Sequence, residues 1–333
     1  MKEKIILIAV SVCLGLILPG VVIRMFKPEA KPNLTGSGAT SANITMTPTT
    51  PSINETEGQQ KQSGLWVLHE EHTQWMDMET YIIGVILAEM PTTYDHDALC
   101  AQAVAARTYA LKRQSSDKHP NGAVCTNAQC CQAYWSIPEF LDGHGYQADV
   151  IAAQKAALDT AGMVLTYADK LIEATYYHSS GGKTEQALAV WGVDLPYLQS
   201  VESPGEEDLE GFSNRIFYTE SDLEQLLDRS LTGVPAGWIG LFTYTPGGGV
   251  ETMYFAGVQY TGIQLRSLLK LSSTAFSIEP AEDGLWFTAL GKGHRVGMSQ
   301  TGAQAMALCG ASWREILAHY YPGTRIDKME DVG

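Results

Sequence analysis

The sequence is poor in charged residues, and especially in basic ones. Only 18% of the 333 residues are Asp, Glu, Lys or Arg, and 22 basic residues face 37 acidic ones, which gives a formal net charge of −15. Proteins that bind nucleic acid draw most of their affinity from Lys and Arg side chains that neutralise phosphates. The scarcity of such side chains argues against nucleic acid as a partner and favours a neutral or partly cationic one.

Cysteine is also scarce, with six in the whole chain. This number is too small for a disulfide scaffold, and a chain of this length can bury a large core without disulfides or metals. The length exceeds that of an average domain and predicts two subdivisions plus accessory segments. Cys13 lies in an apolar N-terminal segment, so five cysteines remain to be explained in the folded body.

The apolar segment near the N-terminus is the run "IILIAVSVCLGLILPGVVI", residues 5–23. Its 19 uncharged residues can cross a bilayer core of roughly 30 Å at about 1.5 Å per residue. No small-x-small cleavage site follows, which disfavours the alternative of a cleaved signal peptide. We therefore predict a transmembrane anchor over residues 1–27, and the short head before it favours a body outside the cytoplasm.

The next segment, residues 28–63, is rich in Pro, Thr, Ser, Asn and Gly and contains almost no large apolar side chains. Such a composition cannot offset the entropy lost when the chain becomes ordered. The segment is therefore predicted to be a disordered linker, and the folded body is expected to begin near Leu65.

The folded body has the pattern of an α+β fold with mixed helices and antiparallel sheet. A mostly buried helix is predicted for "METYIIGVILAEM". It is expected to end at Pro91, because the residue before a proline is disfavoured in the helical region. Further helices are predicted over 98–112 and 148–160. Two strands are expected to flank a turn at 168–170.

A change in the sequence pattern after residue 206 predicts a second lobe. There "SDLEQLL" has the capping-box pattern of a helix start at Ser221 and Glu224. The chain then returns through the predicted strand "LWFTALG" to a last helix, "SWREILAHYY", capped by Ser312 and Glu315. The prediction is a two-lobed body: a main lobe formed by 64–205 and 283–333, and a second lobe or insertion over 206–282.

Glu89 is a single carboxyl group at the end of the apolar helix. Ile86, Leu87 and Met90 would shield it from water, and the helix C-terminus carries partial negative charge. Both effects disfavour the carboxylate and raise the pKa, as a general acid requires. The alternative is an exposed Glu at a fraying helix end.

Two glycine-containing loops carry polar side chains suited to a ligand. The first, "YYHSSGGKTE", offers hydroxyl partners and a stacking aromatic of the kind that sugars need; its candidates are Tyr177, His178, Ser179, Ser180, Gly181, Gly182, Thr184 and Glu185. The second, "GHRVGMSQTGAQAMA", leads from His294 to a helix start at Ser299 and Gln300, where free N–H groups can bind oxygen-rich ligands. The alternatives are an ordinary polar turn and a capped helix with a structural histidine.

A fourth candidate site is the loop "HPNGAVCTNAQCCQAY". It brings four zinc-type ligands within 13 residues, namely His119, Cys125, Cys130 and Cys131. A short loop with these side chains can wrap a tetrahedral zinc ion, although the spacing is unlike that of a zinc finger. A disulfide from Cys125 to one of the later cysteines is the alternative in an oxidising compartment.

These motifs together resemble the stage II sporulation protein D family, whose wider relatives include amidase enhancers. The resemblance rests on "YIIGVILAEMP", "ALCAQAVAARTYAL", "CQAYW", "YYHSSGGKTE", "LPYLQSVESPGE", "LRSLLKLSSTAFSI" and "GHRVGMSQTGAQAMA…REILAHYYPGT", which occur in order from about residue 65 to 325. It implies a membrane-anchored lytic transglycosylase that cleaves peptidoglycan during engulfment of the forespore. The body would lie in the septal or intermembrane space, on the mother-cell membrane.

In the family the catalytic glutamate corresponds to Glu89. One such residue suffices for a lytic transglycosylase: it protonates the oxygen between N-acetylmuramic acid (MurNAc) and N-acetylglucosamine (GlcNAc). As carboxylate it then takes the proton of the MurNAc C6 hydroxyl, which closes a 1,6-anhydro ring. Ordinary glycosidases use two carboxyl groups. A single group that acts as acid and then base benefits from a pKa raised toward neutrality.

The resemblance also suggests further site residues and partners. Gln102 and Arg107 lie in the family's second helix motif, but they are five residues apart, so they cannot both point into one cleft, and an ion pair in the core is an alternative role for Arg107. Some clostridial-type relatives hold a structural zinc ion through a loop that corresponds to His119, Cys125, Cys130 and Cys131. Implied partners are glycan strands stripped of stem peptides and the sporulation proteins P and M. The rival hypothesis is a non-catalytic wall-binding module that activates an amidase.

Overall fold

The computed structural model describes residues 63–114, 116, 118–143, 145–209 and 212–332. The predicted anchor at 1–27 and all but the last residue of the predicted linker at 28–63 lie outside these residues. Within the part of the chain that is described, no helix combines the length and the apolar character needed to cross a bilayer.

Nine helices are present in the described residues. They are α1 (Met78–Glu89), α2 (His96–Gln114), α3 (Ile137–Gly143), α4 (Gln147–Asp159), α5 (Ala187–Trp191), α6 (Glu220–Leu227), α7 (Gly262–Leu268), α8 (Gln300–Leu308) and α9 (Trp313–Tyr320). Three short 3₁₀ turns occur at Pro120–Gly122, Pro235–Trp238 and Met329–Asp331.

The same ranges contain fourteen strands. They are β1 (Gly64–His69), β2 (His72–Asp77), β3 (Val124–Cys125), β4 (Met163–Tyr167), β5 (Lys170–Leu171), β6 (Tyr176–Tyr177), β7 (Ser213–Thr219), β8 (Ile239–Tyr244), β9 (Val250–Phe255), β10 (Val258–Thr261), β11 (Phe276–Pro280), β12 (Gly284–Leu290), β13 (Met298–Ser299) and β14 (Arg325–Lys328).

The strands form small sheets, most of them antiparallel. The strand orders are β2-β1-β3, β10-β9-β8, β11-β12-β7, β13-β6 and β14-β4-β5. Only the β1–β3 and β13–β6 pairs are parallel among the described strands. The predicted α+β class with antiparallel sheet is confirmed, and each parallel pair joins only two residues of each strand.

The first hydrophobic core surrounds α1 and α2. α1 is apolar on all sides, and such a helix is stable in water only when it is buried. α2 contacts α1, α4, α8, α9 and β4, and its buried face includes Ala98, Ala101, Ala103, Ala105 and Ala106. These short side chains let the neighbouring elements approach the α2 backbone closely. Packing of α1 against α2 in this way positions the C-terminal end of α1, where Glu89 lies.

The two ends of α1 are determined locally. At its start, the Asp77 carboxylate accepts a hydrogen bond from the Thr80 N–H at 3.0 Å. At its end, Met90 has extended backbone angles of φ −135° and ψ 137°, as expected for the residue before a proline. Glu89 is therefore the last helical residue, in agreement with the sequence prediction.

A second cluster of buried apolar residues is built from β7–β12, α6 and α7. Its fully buried members include Leu223, Met253, Phe255, Leu265 and Phe287. The strand β12 (Gly284–Leu290) contributes to this cluster and pairs with β7, although it begins after the predicted boundary at 282. The domain boundaries themselves stay predictions.

One predicted helix cap is wrong and another is confirmed. The helix over 220–227 is capped by Thr219 and Asp222, not by Ser221 and Glu224. The reason is that β7 runs up to Thr219, so the helix starts two residues earlier, and the Glu224 carboxylate instead accepts the Leu231 N–H at 2.8 Å. In α9, Ser312 and Glu315 form the predicted capping box.

Candidate active site

Glu89 lines a cavity of ≈ 1260 Å³, which we call the Glu89 cavity. A cavity of this size can hold several sugar rings, since pockets for drug-sized ligands have volumes of about 300–1,000 Å³. Its other lining residues come from α2, from the loop before α3, from residues 173–197 and from 266–294. Of the predicted site residues it brings together Glu89, Tyr177, His178, His294, Cys130 and Cys131.

The Glu89 carboxyl group is held in one position by the backbone. Its Oε1 accepts a hydrogen bond from the Ala133 N–H at 2.8 Å. Burial raises the pKa of Glu89 above its ordinary value, and the Ala133 hydrogen bond opposes the rise. The net direction keeps the proton on the side chain to higher pH, which suits a general acid.

Gln132 fixes the backbone that carries this N–H group. Its Oε1 accepts a hydrogen bond from the Tyr81 hydroxyl at 3.0 Å, and its Nε2 donates to the Tyr176 hydroxyl at 2.8 Å. Burial raises the pKa of both tyrosines, and the Glu89 charge adds to the rise. Both hydroxyls therefore stay neutral beside the acid. The motif "CQAYW" carries Gln132 and Ala133, but its spacing gave no sign of their role.

The raised pKa of Glu89 leads to a prediction about stability. A carboxyl group whose pKa is raised by folding disfavours the folded state once it ionises, so the cost is absent at acid pH and present at neutral pH. We expect Glu89→Gln to raise the melting temperature at pH 7 and to have little effect at pH 4. Calorimetry at both pH values measures this difference.

The control for this stability effect is Glu251→Gln, on an exposed position of β9. Surface changes of that kind stay within about 0.5 kcal/mol at either pH. Equal melting temperatures for wild type and Glu89→Gln at pH 7 would mean that the Glu89 carboxylate is well solvated. This result would contradict a pKa of Glu89 that is raised by burial.

His294 and Trp191 form an aromatic wall in the cavity. The His294 ring lies 5.4 Å from the Tyr177 ring and 5.3 Å from the Trp191 ring, measured between centroids. Burial, together with the charge of Arg266, lowers the pKa of His294 to about 4, so its imidazole is neutral at neutral pH. The Trp191 ring is 41% exposed and offers an apolar face for a sugar. No local sequence pattern marks Trp191, which ends the short helix α5.

The serines after His178 face the protein interior. The buried Glu206 carboxylate accepts hydrogen bonds from the Ser179 hydroxyl at 2.9 Å and from the Ser180 hydroxyl and N–H at 2.8 and 2.9 Å. It also accepts the Gly181 N–H at 3.2 Å. Gly181 has φ +71°, and a Cβ there would lie 2.6 Å from the Gly291 nitrogen. These residues shape the loop and do not line the Glu89 cavity.

The end of the same loop is held by Arg295. Its guanidinium lies 3.3 Å from the Glu185 carboxylate and donates to the Ser180 and Lys183 carbonyls at 2.7 Å each. The Thr184 hydroxyl accepts the Val201 N–H at 2.8 Å. Thr184, Glu185 and Gly182 also lie away from the cavity lining. Their predicted contact with substrate stays a prediction, and their observed contacts are within the protein.

The start of α8 is likewise occupied by contacts within the protein. The Ser299 hydroxyl accepts the Gly302 N–H at 3.1 Å, as a helix cap. Gln300 donates to the buried Gln102 at 3.5 Å. Neither glutamine lines the cavity.

Arg107 forms an ion pair in the core, which was the alternative role considered for it from the sequence. Its side chain is fully buried and pairs with Glu79, with an Nε–Oε1 distance of 3.1 Å. It also donates to the Met163 carbonyl at 3.0 Å. It does not line the Glu89 cavity, so its contacts are those of an anchor between α1, α2 and β4.

We expect Glu79→Ala to destabilise the protein by about 3 kcal/mol, because it leaves the Arg107 charge buried without its partner. Urea unfolding measures this loss. The matched control is Glu279→Ala, which breaks the exposed Arg215–Glu279 pair and should cost at most about 1 kcal/mol. Equal losses in the two variants would contradict the role of Arg107 as a buried anchor.

The His/Cys loop brings together four side chains that could hold a metal ion. The ligand atoms of His119, Cys125, Cys130 and Cys131 all lie within 4.8 Å of one another. The His119 Nε2 atom is 3.3 Å from the Cys130 sulfur and 3.6 Å from the Cys131 sulfur. All cysteines in the described residues are free thiols.

Comparison with known proteins gives the family. The family model described as stage II sporulation protein matches residues 69–167. The stage II sporulation protein D of Bacillus subtilis (strain 168) is 36% identical over 259 residues, which cover 76% of this chain and 75% of that protein.

Two further relatives extend the comparison. The stage II sporulation protein D of Bacillus amyloliquefaciens is 31% identical over 343 residues, covering 99% of this chain and 97% of that protein. The amidase enhancer of Bacillus subtilis (strain 168) is 27% identical over 296 residues, which cover 73% of this chain but 40% of that protein. The chain therefore belongs to the stage II sporulation protein D family.

Proposed function

We propose that this protein is a peptidoglycan lytic transglycosylase that acts during sporulation. The observation that carries the proposal is the Glu89 carboxyl group, partly shielded from water, held by the Ala133 N–H and lining a cavity that can hold several sugars. A protein that only binds the cell wall has no use for an acid whose pKa burial raises.

The reaction needs one proton donor that later becomes an acceptor. Protonated Glu89 gives its proton to the oxygen between MurNAc and GlcNAc, and the bond from C1 of MurNAc to that oxygen breaks. The resulting carboxylate removes the proton of the MurNAc C6 hydroxyl as that oxygen bonds to C1, which forms the 1,6-anhydro ring. The proton thus returns to Glu89, and no water is consumed.

A second carboxyl group, Glu173, lines the same cavity. Hydrolytic glycosidases use such a pair, one as acid and one as nucleophile or base. The Glu173 carboxylate, however, is engaged in an ion pair with Arg113 at 2.8 Å, whereas Glu89 has no basic partner of this kind among the described ion pairs. This pairing favours a mechanism with Glu89 alone.

We also propose that the His/Cys loop holds a structural zinc ion. Bonds of about 2.0 Å to nitrogen and 2.3 Å to sulfur in a tetrahedron separate these atoms by about 3.5 Å, and the observed distances from His119 to the two sulfurs are 3.3 and 3.6 Å. His119, Cys125, Cys130 and Cys131 would be its ligands, and the ion would act as a cross-link. These four protein ligands would fill the tetrahedral shell, so the proposed role is structural.

Membership of the family supports a proposal about the cellular surroundings of the protein. We propose a single-pass anchor at residues 1–27, with the body outside the cytoplasm in the septal or intermembrane space during engulfment. The substrate would be glycan strands stripped of stem peptides, and the partners would be the sporulation proteins P and M. The similarity to a relative named amidase enhancer favours one alternative, a wall-binding module that activates an amidase without cutting glycan.

An assay without any amidase separates the two functions. We expect the purified protein alone to release soluble sugar fragments from stem-free glycan strands. Chromatography of the soluble fraction measures this release. Activation of an added amidase, with no fragments released by the protein alone, would support the alternative.

A further inference from the structure

The Glu89 cavity is basic, although the protein as a whole is acidic. Four basic side chains line it, against the two carboxyl groups Glu89 and Glu173; the four are Lys112, Arg113, Arg266 and Lys292. Arg113 is already paired with Glu173. The remaining cationic surface is unexpected for a chain with a formal net charge of −15.

Arg266 differs from the other arginines that the structure describes. Each of those has a charged, carbonyl or aromatic partner: Arg107 with Glu79, Arg113 with Glu173, Arg215 with Glu279, Arg229 with the Ala256 carbonyl, Arg295 with Glu185, Arg314 with the Trp313 ring and Arg325 with Asp169. The Arg266 side chain has no such partner among the described residues.

Arg266 is also partly buried, which makes an unpaired charge costly. It lies on α7, where burial, and after it the charge of Arg295, lowers the pKa of Arg266. It is close enough to His294 to lower the pKa of that imidazole. An anion that entered the cavity near His294 would stabilise a guanidinium in these surroundings.

Lys292 adds a second positive charge to the lining of the same cavity. Two hydrogen bonds with Ser179 fix the Lys292 backbone. The Lys292 N–H donates to the Ser179 carbonyl at 2.8 Å, and the Lys292 carbonyl accepts from the Ser179 N–H at 3.2 Å. Its side chain is exposed and lines the cavity two residues before His294. Arg266 and Lys292 therefore both contribute positive charge to the lining of the Glu89 cavity.

The anion on a stripped glycan strand is the lactyl carboxylate of MurNAc. While the stem peptide is attached, this carboxyl group is an uncharged amide. Once an amidase removes the peptide, it becomes a free carboxylate, which a guanidinium binds through two parallel hydrogen bonds. We propose that Arg266, assisted by Lys292, binds the lactyl carboxylate and thereby selects stem-free MurNAc; this inference rests on the proposed function.

The test compares two substrates that differ only in that charge. One is the stem-free glycan strand, and the other is the same strand with its lactyl carboxyl groups converted to methyl amides. For the full-length protein we expect kcat/KM to be about 10- to 100-fold higher on the carboxylate form, as is typical of a charge-assisted hydrogen bond. Arg266→Gln should lose this preference, because its kcat/KM should fall on the carboxylate form and stay unchanged on the amide form.

Three further variants identify the role of the charge. Arg266→Lys should keep part of the preference, and Lys292→Gln should lose a smaller part of it. Arg215→Gln removes an exposed arginine outside the cavity and should keep the whole preference. If Arg266→Gln loses activity equally on both substrates, its role is structural, and if the preference is unchanged, the assignment is wrong; either result overturns the inference.

Binding measurements on Glu89→Gln protein separate this inference from the proposed reaction. Affinity for the two strand forms is measured with Arg266 intact and with Arg266→Gln in the same background. A preference for the carboxylate form that Arg266→Gln removes supports the assignment even when no strand is cut, and the failure then lies with the proposed reaction. Equal affinities for both forms with Arg266 intact overturn the assignment.

Discussion

Glu89→Gln is expected to stop cleavage of glycan strands while leaving strand binding intact. The amide has nearly the same shape, and its oxygen can still accept the Ala133 hydrogen bond, but it can neither give nor take a proton. A general acid or base contributes about 10²- to 10⁴-fold to a rate. Because Glu89 would serve in both steps, we expect a loss of at least about 10³-fold in kcat, measured by fragment release.

The matched control for this loss is Glu173→Gln, in the same cavity. We expect this variant to keep activity within about tenfold, because Glu173 is paired with Arg113 and has no step of its own in the mechanism. If Glu173→Gln is as inactive as Glu89→Gln, two carboxyl groups are needed, and the protein is a hydrolase with an acid and a second catalytic carboxylate.

The pH dependence follows from the same carboxyl group. The first step requires protonated Glu89, so the rate should fall as the pH rises through the pKa of Glu89, which burial has raised. The midpoint of this alkaline limb should therefore lie above the ordinary range for a glutamate.

Removal of the proposed metal is expected to have the second-largest effect. The purified protein should hold about one zinc ion per chain, and Cys131→Ser or a strong chelator should remove it and lower the melting temperature. Cys131 lies two residues before Ala133, whose N–H holds Glu89. A shift of about 1 Å in a catalytic group can cost about 10²-fold in rate, so activity should fall with the metal.

Metal analysis, thiol titration and thermal melting together test this expectation. Cys309→Ser is the control, because Cys309 is exposed and lies outside the cluster; it should keep both metal and stability. If the native protein contains no metal and has a disulfide in the loop, the proposed zinc site is wrong.

Features that depend on neighbouring residues could be predicted from the sequence. Glu89 lies at a helix end because an apolar helix is stopped by Pro91, and the four candidate ligands in the His/Cys loop are close because only 13 residues contain them. In both cases the chain has little freedom to separate the groups.

Features that depend on distant residues could not be predicted. The polar loop "YYHSSGGKTE" has the composition of a sugar site, but its serines bind Glu206, about 26 residues away, and Glu185 pairs with Arg295, 110 residues away. No local pattern marks those partners. For the same reason Arg266, which lies in the motif "LRSLLKLSSTAFSI", and Trp191, at the end of α5, were not recognised as cavity residues.

Net charge also gave an incomplete picture of the partner. The overall balance of −15 predicted a neutral or partly cationic partner, whereas the cavity concentrates four of the 22 basic residues. Recognition depends on the charges that face the ligand at short range, since screening by salt reduces distant ones to little beyond about 10 Å.

The most direct test is mass spectrometry of the products formed from stem-free glycan strands in water enriched in ¹⁸O. The account predicts fragments that end in 1,6-anhydro-MurNAc and carry no ¹⁸O, because the C6 hydroxyl, and not water, displaces the glycosidic oxygen. Fragments with ordinary reducing ends that contain ¹⁸O would contradict it.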